Sequence, residues 1–286
     1  MRELCIKVEC FNLKNTLECG QCFRWECIDE NKCEYIGVIK DRAIKIRQEG
    51  NTLYIISNKE KNLKDVIMDY FDLDEDYAAI EKRISSIDEN ISSALNNTSG
   101  LRLLNQGFFE TLISYIISAN NNIPRISKSV KEISKRYGEK MVFEGKEYYL
   151  FPKAEELKNV TIAEYRECGV GFRDSYIFQT VHDFLNGKIN EKDAKELSTF
   201  ELRKKLLTLK GVGPKVADCI LLFSCGRREV FPIDVWVERV MSILYFKMND
   251  GKVKKKDILD YASKNFGKDA GIIQQHLFYN MRGKMM

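Results

Sequence analysis

Leu-Leu-Thr-Leu-Lys-Gly-Val-Gly-Pro-Lys-Val-Ala-Asp-Cys-Ile (206–220) reads as two helices joined by a glycine turn. Leu202, Leu206 and Leu209 recur at helical spacing, and Gly211 ends that helix where a left-handed backbone is cheap. Gly213 lets the chain turn back. Pro214 suits the first position of a second helix, with φ preset and no N–H to lose. That helix carries Val216, Ala217, Cys219, Ile220 and Phe223, apolar over much of its circumference, so it is expected to be largely buried. A helix–hairpin–helix is therefore predicted over 202–224. Free N–H groups of Gly213, Lys215 and Val216 would face outward at its positive end and suit an anion. A plain connector is the other reading of the same glycines.

Charge bears on that choice. Residues 201–228 hold Arg203, Lys204, Lys205, Lys210, Lys215, Arg227 and Arg228 against Glu201 and Asp218, seven minus two or +5, whereas the whole chain is +4. Basicity concentrated beside a helix-end anion site is the footprint of a polyanion backbone. Lys204 and Lys205 also fit a solvated helix face. Lys215 fits it less well, since it opens the second helix beside Val216 and Cys219. A lysine partly desolvated at a helix N-terminus is expected to have a lowered pKa, which favours the nucleophilic free amine, while a nearby aspartate would pull the other way and hold the ammonium form. Nineteen residues on, Pro232-Ile233-Asp234 offers a carboxylate. Asp234 reads either as the N-cap of the following helix or as a group that stabilises positive charge on a sugar.

With these residues in hand, the hairpin and the later Pro-Ile-Asp resemble the helix–hairpin–helix, Gly/Pro…Asp superfamily of DNA glycosylases. Lysine at 215 implies the bifunctional branch, which cleaves the glycosidic bond and then the strand. Cys19-Gly20-Gln21-Cys22-Phe23-Arg24-Trp25, Ser118-Ala119-Asn120-Asn121-Asn122-Ile123-Pro124-Arg125-Ile126 and Gly169-Val170-Gly171-Phe172-Arg173 are similar to segments of 8-oxoguanine DNA glycosylase/AP lyases, in a bacterial form. Gln274 and Phe278 fall at that family's C-terminal pocket positions. The matches run in order over about residues 11–280.

The resemblance implies roles. Lys215 would form a Schiff base at C1′ of the damaged nucleotide, and Asp234 would assist electrostatically. The Gly20 carbonyl would accept from the N7–H that marks 8-oxoguanine. Cys219 and Phe278 would sandwich the extruded base, with Gln274 on its Watson–Crick edge. Asn120, Arg125 and Arg173 would fill the gap and read the orphaned base, taken to be cytosine, with Phe172 as wedge. Gly211, Gly213 and Val216 would hold the phosphate. Phe172 stands where the family has tyrosine. Trp236 and Met281 stand where it has a histidine and the aspartate that partners it, so the 5′-phosphate contact is expected to be rebuilt or lost. A glycosylase/lyase for oxidised pyrimidines and a non-catalytic helix–hairpin–helix module are the alternatives. The first is opposed by the Gly-Gln-Cys-Phe-Arg-Trp strand, and the second leaves Lys215 with Asp234 unexplained.

The chain's 286 residues allow two domains. Residues 1–57 alternate and favour strands, so the expected class is α+β. An N-terminal antiparallel β-sheet domain (1–95) would pack on a mainly helical domain (96–286), the C-terminal helix returning toward the sheet. Residues 60–90, with ten acidic and four basic side chains, are expected to face away from DNA. Phe108–Ser118 reads as a core helix, and the asparagines after it as C-caps or gap fillers. The lysines of 245–256 are read as solvated. No apolar run reaches transmembrane length and Met1–Lys7 lacks a signal-peptide core, so an intracellular, cytoplasmic, monomeric enzyme binding double-stranded DNA, with no membrane partner, is expected. Cys19 and Cys22 have the spacing of a redox pair or half a zinc site. The strand-like surroundings and the absence of nearby histidine favour structural thiols. No cysteine follows Cys225, so no iron–sulfur cluster, metal or other cofactor is expected; a structural cation at the hairpin carbonyls is left open.

Overall fold

The computed structural model of the protein describes residues 3–248 and 253–285. Its N-terminal part is a five-stranded antiparallel sheet, ordered β1-β5-β4-β3-β2. The strands are β1 (Leu4–Lys7), β2 (Trp25–Asp29), β3 (Glu34–Ile39), β4 (Arg42–Glu49) and β5 (Thr52–Ser57). Side-chain alternation gives the sheet two apolar faces. Tyr35, Ile39, Ile44, Ile46, Leu53 and Ile55 point to a core shared with helices α1 (Leu13–Glu18) and α2 (Leu63–Tyr70). Ile36, Val38 and Ala43 point the other way, onto Phe143.

Phe143 belongs to a hairpin that periodicity did not reveal, β6 (Lys140–Phe143) and β7 (Lys146–Tyr149). Its two-residue connection, Glu144-Gly145, has the turn chemistry of a tight hairpin. It is inserted within the helical part yet packs on the sheet, with an ion pair from Lys45 to Glu144 at 2.5 Å. An apolar cluster assembled from distant segments leaves no local signature.

The helical part comprises α3 (Tyr77–Ser85), α4 (Glu89–Thr98), α5 (Phe108–Ser118), α6 (Ile123–Tyr137), α7 (Ile162–Glu167), α8 (Asp174–Leu185) and α9 (Glu191–Glu196). It continues with α10 (Thr199–Leu206), α11 (Pro214–Cys225), α12 (Val235–Leu244), α13 (Lys255–Asn265) and α14 (Ala270–Met285). The class is α+β, as expected. Helix α5 is the central rod, buried on every side except at Glu110, and it packs along α11. Tyr77, Ile80, Ile84, Ile91 and Leu95 lie in this helical core rather than in that of the sheet.

Helix α14 crosses α4 through a buried joint. Thr98 Oγ1 donates to Ala94 O at 2.9 Å, so the 2.7 Å contact with His276 Nδ1 is one in which the imidazole donates. Burial lowers the His276 pKa to about 4, so the ring is neutral at ordinary pH.

The acidic stretch meets the basic one directly. Arg228 pairs with Asp72 at 2.5 Å and Glu75 at 3.0 Å; separately, Arg83 within the acidic stretch pairs with Asp269 at 2.8 Å. Of the lysine-rich 245–256 stretch, 249–252 lie outside the described residues, while Lys247, Lys254, Lys255 and Lys256 are exposed. Among the described residues no helix is long and apolar enough to cross a membrane.

Candidate active site

The first helix of the hairpin ends sooner than its leucine spacing suggested. Helix α10 stops at Leu206, and Leu209 is buried within the turn that follows. Gly211 has φ +84°, and a Cβ there would lie 2.6 Å from Tyr176 Cδ2, so both backbone and space require glycine. Gly213 differs from the expectation of a glycine needed for the turn. Its φ of −89° is open to any residue, and a Cβ would meet nothing within 4 Å. Its bareness leaves the start of α11 approachable from outside. Part of the local positive charge is used internally. Arg203 grips the buried Asp218 through two bonds of 2.6 and 3.2 Å, pinning α10 to α11, and Lys205 reaches Asp193 at 2.7 Å. Lys204 and Lys210 stay exposed.

Lys215 stands in the first turn of α11, and one turn on, at i+4, Cys219 shares its face. Across from them Gln274 and Phe278 form a second i, i+4 pair on α14. These pairs wall a cavity of about 340 Å³, closed further by Gly20, Phe23, Tyr115, Ser118, Asp234 and Trp236. The sequence-derived pocket residues Gly20, Lys215, Cys219, Asp234, Gln274 and Phe278 thus meet in one place.

Lys215 Nζ lies 5.1 Å from the centre of the Tyr115 ring and 3.5 Å from Ser118 Oγ. The ring face suits a cation, and the Cys219 thiol lies beside the same amine. Burial pushes the Cys219 thiol up to about 11, against the pull of nearby Lys215, so it stays an uncharged, soft wall. Asp234 is the N-cap of α12, its Oδ1 accepting from Val237 N at 2.8 Å. The capping role anticipated for it is real, and it also lines the cavity; one oxygen bonds the helix while the carboxylate faces the lysine's chamber. Tyr115 and Ser118 were hidden in a helix whose periodicity signals only core. Their polar atoms at i and i+3 were the one available sign.

Gly20 lies in an irregular loop after α1, where the sequence had suggested strands, and has φ +88°. The loop is held by the fully buried Gln21, whose Nε2 donates to Thr16 O at 2.9 Å and Arg102 O at 2.7 Å. Its Oε1 accepts from Leu104 N at 2.9 Å. Cys19 and Cys22 are buried on either side, and burial pushes the Cys19 thiol up to about 12. Among the described residues there is no group of three or more His, Cys, Asp or Glu that could hold a metal ion.

The gap-filling set is split by the structure. Asn120 is exposed in a left-handed conformation (φ +52°) just past α5, a helix-ending position that asparagine tolerates. Asn122 caps α6, accepting from Arg125 N at 3.0 Å, and Arg125 is exposed. Arg173 instead is buried. Its Nε donates to Ala119 O at 2.8 Å, Nη1 to Val170 O at 2.9 Å and Nη2 to Asn120 O at 2.9 Å. It joins the two loops and shapes Asn120 more than it presents donors outward. Phe172 is 56% exposed, its ring 4.3 Å from the Arg173 guanidinium carbon. Trp236 is 41% exposed at the cavity mouth, whereas Met281 packs against the helical core. Those two residues therefore do not rebuild a polar pair.

A sheet domain joined to a helical hairpin domain, with a lysine and an aspartate in the cleft chamber, has counterparts. Residues 3–112 match the N-terminal domain of 8-oxoguanine DNA glycosylase, and residues 113–265 match the HhH-GPD superfamily of base excision DNA repair proteins. The N-glycosylase/DNA lyase of Saccharomyces cerevisiae is 32% identical over 80% of this chain and 66% of its own length. The Clostridium acetobutylicum 8-oxoguanine glycosylase/lyase, in complex with double-stranded DNA carrying cytosine opposite 8-oxoG, is 37% identical with a TM-score of 0.91, covering 99% of each chain. MBOgg1 bound to a low-affinity DNA ligand is 39% identical with a TM-score of 0.94, covering 99% of this chain and 96% of that one. With both halves matched in order and the hairpin, lysine and aspartate in one cavity, the chain belongs to the HhH-GPD superfamily of base excision DNA repair proteins, in the branch that carries the 8-oxoguanine DNA glycosylase N-terminal domain.

Proposed function

We propose that this protein is a bifunctional glycosylase/lyase that extrudes 8-oxoguanine from duplex DNA, excises it and cuts the strand. The convergence of Lys215, Asp234, Cys219, Gln274 and Phe278 on one base-sized cavity is the observation that carries this reading. The target base leaves the stack and enters between Cys219 and Phe278, where a thiol and an aromatic face contact its two sides. The Gln274 amide meets the Watson–Crick edge and the Gly20 carbonyl accepts from N7–H. Gly211, Gly213 and Val216 hold a backbone phosphate at the start of α11. Asn120, Arg125 and Phe172 occupy the gap, and Arg173 braces Asn120 and Phe172.

Lys215, as the free amine, attacks C1′. The C1′–N9 bond breaks, and the base departs with the electron pair and takes up a proton. Positive charge that develops on the sugar is stabilised by the Asp234 carboxylate. The amine loses a proton as the sugar ring opens to the Schiff base. Loss of a C2′ proton then expels the 3′-phosphate by β-elimination, so no external electron donor or acceptor enters the balance. The protein acts as a monomer, with an affinity that falls as salt rises.

Borohydride trapping on duplexes carrying single lesions tests this function. A covalent adduct is expected with 8-oxoguanine and not with thymine glycol. An adduct confined to the oxidised pyrimidine would transfer the protein to that substrate class, and no adduct with any lesion would leave a binding module. Phe172 supplies a wedge without a hydroxyl, so discrimination between cytosine and adenine opposite the lesion is expected to be modest. Phe172→Tyr should widen the cytosine-over-adenine cleavage ratio by about three- to tenfold, the worth of one modest hydrogen bond. A ratio that does not change in single-turnover assays would remove the hydroxyl from the account.

A further inference from the structure

We infer that Arg282 is a specificity-determining residue of the base pocket, donating from its guanidinium to a carbonyl oxygen of the extruded oxopurine. The inference rests on the reading above, that an oxidised purine enters this cavity. Gln274, Phe278 and Arg282 follow at intervals of four along α14 and so form one stripe of that helix. A long helical side chain leans over the turn before its own Cα, which carries the Arg282 head back toward Phe278.

That head arrives beside Gly20. A Cβ built on Gly20 would lie 3.2 Å from Ile123 Cδ1, 3.4 Å from Arg282 Nη1 and 3.7 Å from Phe278 Cε1. Three side chains thus converge on one glycine at the end of the slot. Arg282 lines both the base cavity and the adjoining one. Its Nη1 is buried and has no hydrogen-bond partner among the described residues. Glu18, the carboxylate that lines the adjoining cavity with it, is engaged by the Tyr35 hydroxyl at 2.7 Å.

A buried N–H without an acceptor is costly, and an incoming acceptor relieves that cost. The guanidinium carries donors only, so it favours an edge rich in acceptors and rejects an amine. The N7 edge of 8-oxoguanine presents two carbonyl oxygens, O6 on one side and O8 on the other. Guanine keeps O6 and lacks O8; 8-oxoadenine keeps O8 and carries an amine at C6. Chemistry therefore matches Arg282 to a keto oxygen of the same edge that approaches Gly20, and the two oxygens can be separated by choice of base.

The test uses the full chain carrying Lys215→Gln, which binds without turning over. Fluorescence anisotropy compares duplexes containing 8-oxoguanine, 8-oxoadenine, guanine or a base-free tetrahydrofuran site. Adding Arg282→Met is expected to weaken the 8-oxoguanine duplex by about ten- to a hundredfold, as for a charge-assisted hydrogen bond, and to leave the tetrahydrofuran duplex unchanged. A loss shared with 8-oxoadenine assigns the contact to O8, and one shared with guanine assigns it to O6. Arg282→Lys should recover part of the affinity. The melting temperature of Arg282→Met should not fall, because the guanidinium Nη1 has no partner to lose. An equal loss on the tetrahydrofuran duplex would make Arg282 a phosphate contact, and unchanged 8-oxoguanine affinity would exclude it from the pocket; either result overturns the inference. A parent with no preference for 8-oxoguanine over guanine would instead overturn the functional reading beneath it.

Discussion

Lys215→Gln is expected to abolish the borohydride-trapped adduct and to slow excision by at least about a thousandfold, in the range of losing a positioned catalytic group. Glutamine is one atom shorter, and its amide has no lone pair basic enough to attack C1′, so no Schiff base forms and strand cleavage ends with it. The fold should be indifferent to the change. The half-buried lysine amine lies 3.5 Å from Ser118 Oγ and 5.1 Å from the Tyr115 ring centre, and beside the Cys219 thiol. A melting temperature within about 1–2 °C of the parent is expected, since the substitution removes no well-made buried bond. Affinity for damaged duplex should persist, because the hairpin glycines and the base cavity are untouched. Single-turnover cleavage, trapping on denaturing gels and thermal unfolding read these three quantities separately. Trapping that survives in Lys215→Gln would assign the nucleophile elsewhere.

Asp234 yields the second large effect, and here chemistry and structure must be separated because the residue serves both. Its Oδ1 caps α12 through Val237 N at 2.8 Å, and the same carboxylate lines the cavity. Asparagine retains the capping oxygen and loses the charge. Asp234→Asn is therefore expected to reduce single-turnover excision by about a hundred- to a thousandfold, the usual scale for one preorganised electrostatic group. Its stability should fall by no more than about 1 kcal/mol, the value of a charge at a helix N-terminus. Asp234→Ala loses cap and charge together and should cost about 1 kcal/mol more than the asparagine variant at similar activity. Excision that is unimpaired in Asp234→Asn would reduce Asp234 to a cap.

Much of this site was legible along the chain because it is written in local chemistry. Gly211 lies beside a proline-led helix, and Lys215 and Cys219 are one turn apart. Asp234 precedes an apolar helix, whereas Gln274 and Phe278 are marked only by the resemblance to known glycosylases. Each local pattern is complete within a few residues, so each survives being read without neighbours. Other features escaped for the opposite reason. Tyr115 and Ser118 lie on a helix whose apolar character hides which polar atoms face a chamber. The +5 of residues 201–228 overstated the free charge, since Asp193, Asp72 and Glu75, the partners of Lys205 and Arg228, lie outside that window. Arg173 carries a motif position but spends its donors on Val170, Ala119 and Asn120.

From the sequence alone came the α+β class, the helix–hairpin–helix and Asp234 as a helix cap, because helix periodicity, turn residues and caps are short-range properties. Only the tertiary structure decided that α5, α11, α14 and the Gly20 loop close one cavity, that Arg173 turns inward and that Arg282 arrives unpartnered at Gly20. Those outcomes depend on how buried surfaces from distant segments fit together, and close packing selects one arrangement of the whole that no single segment encodes.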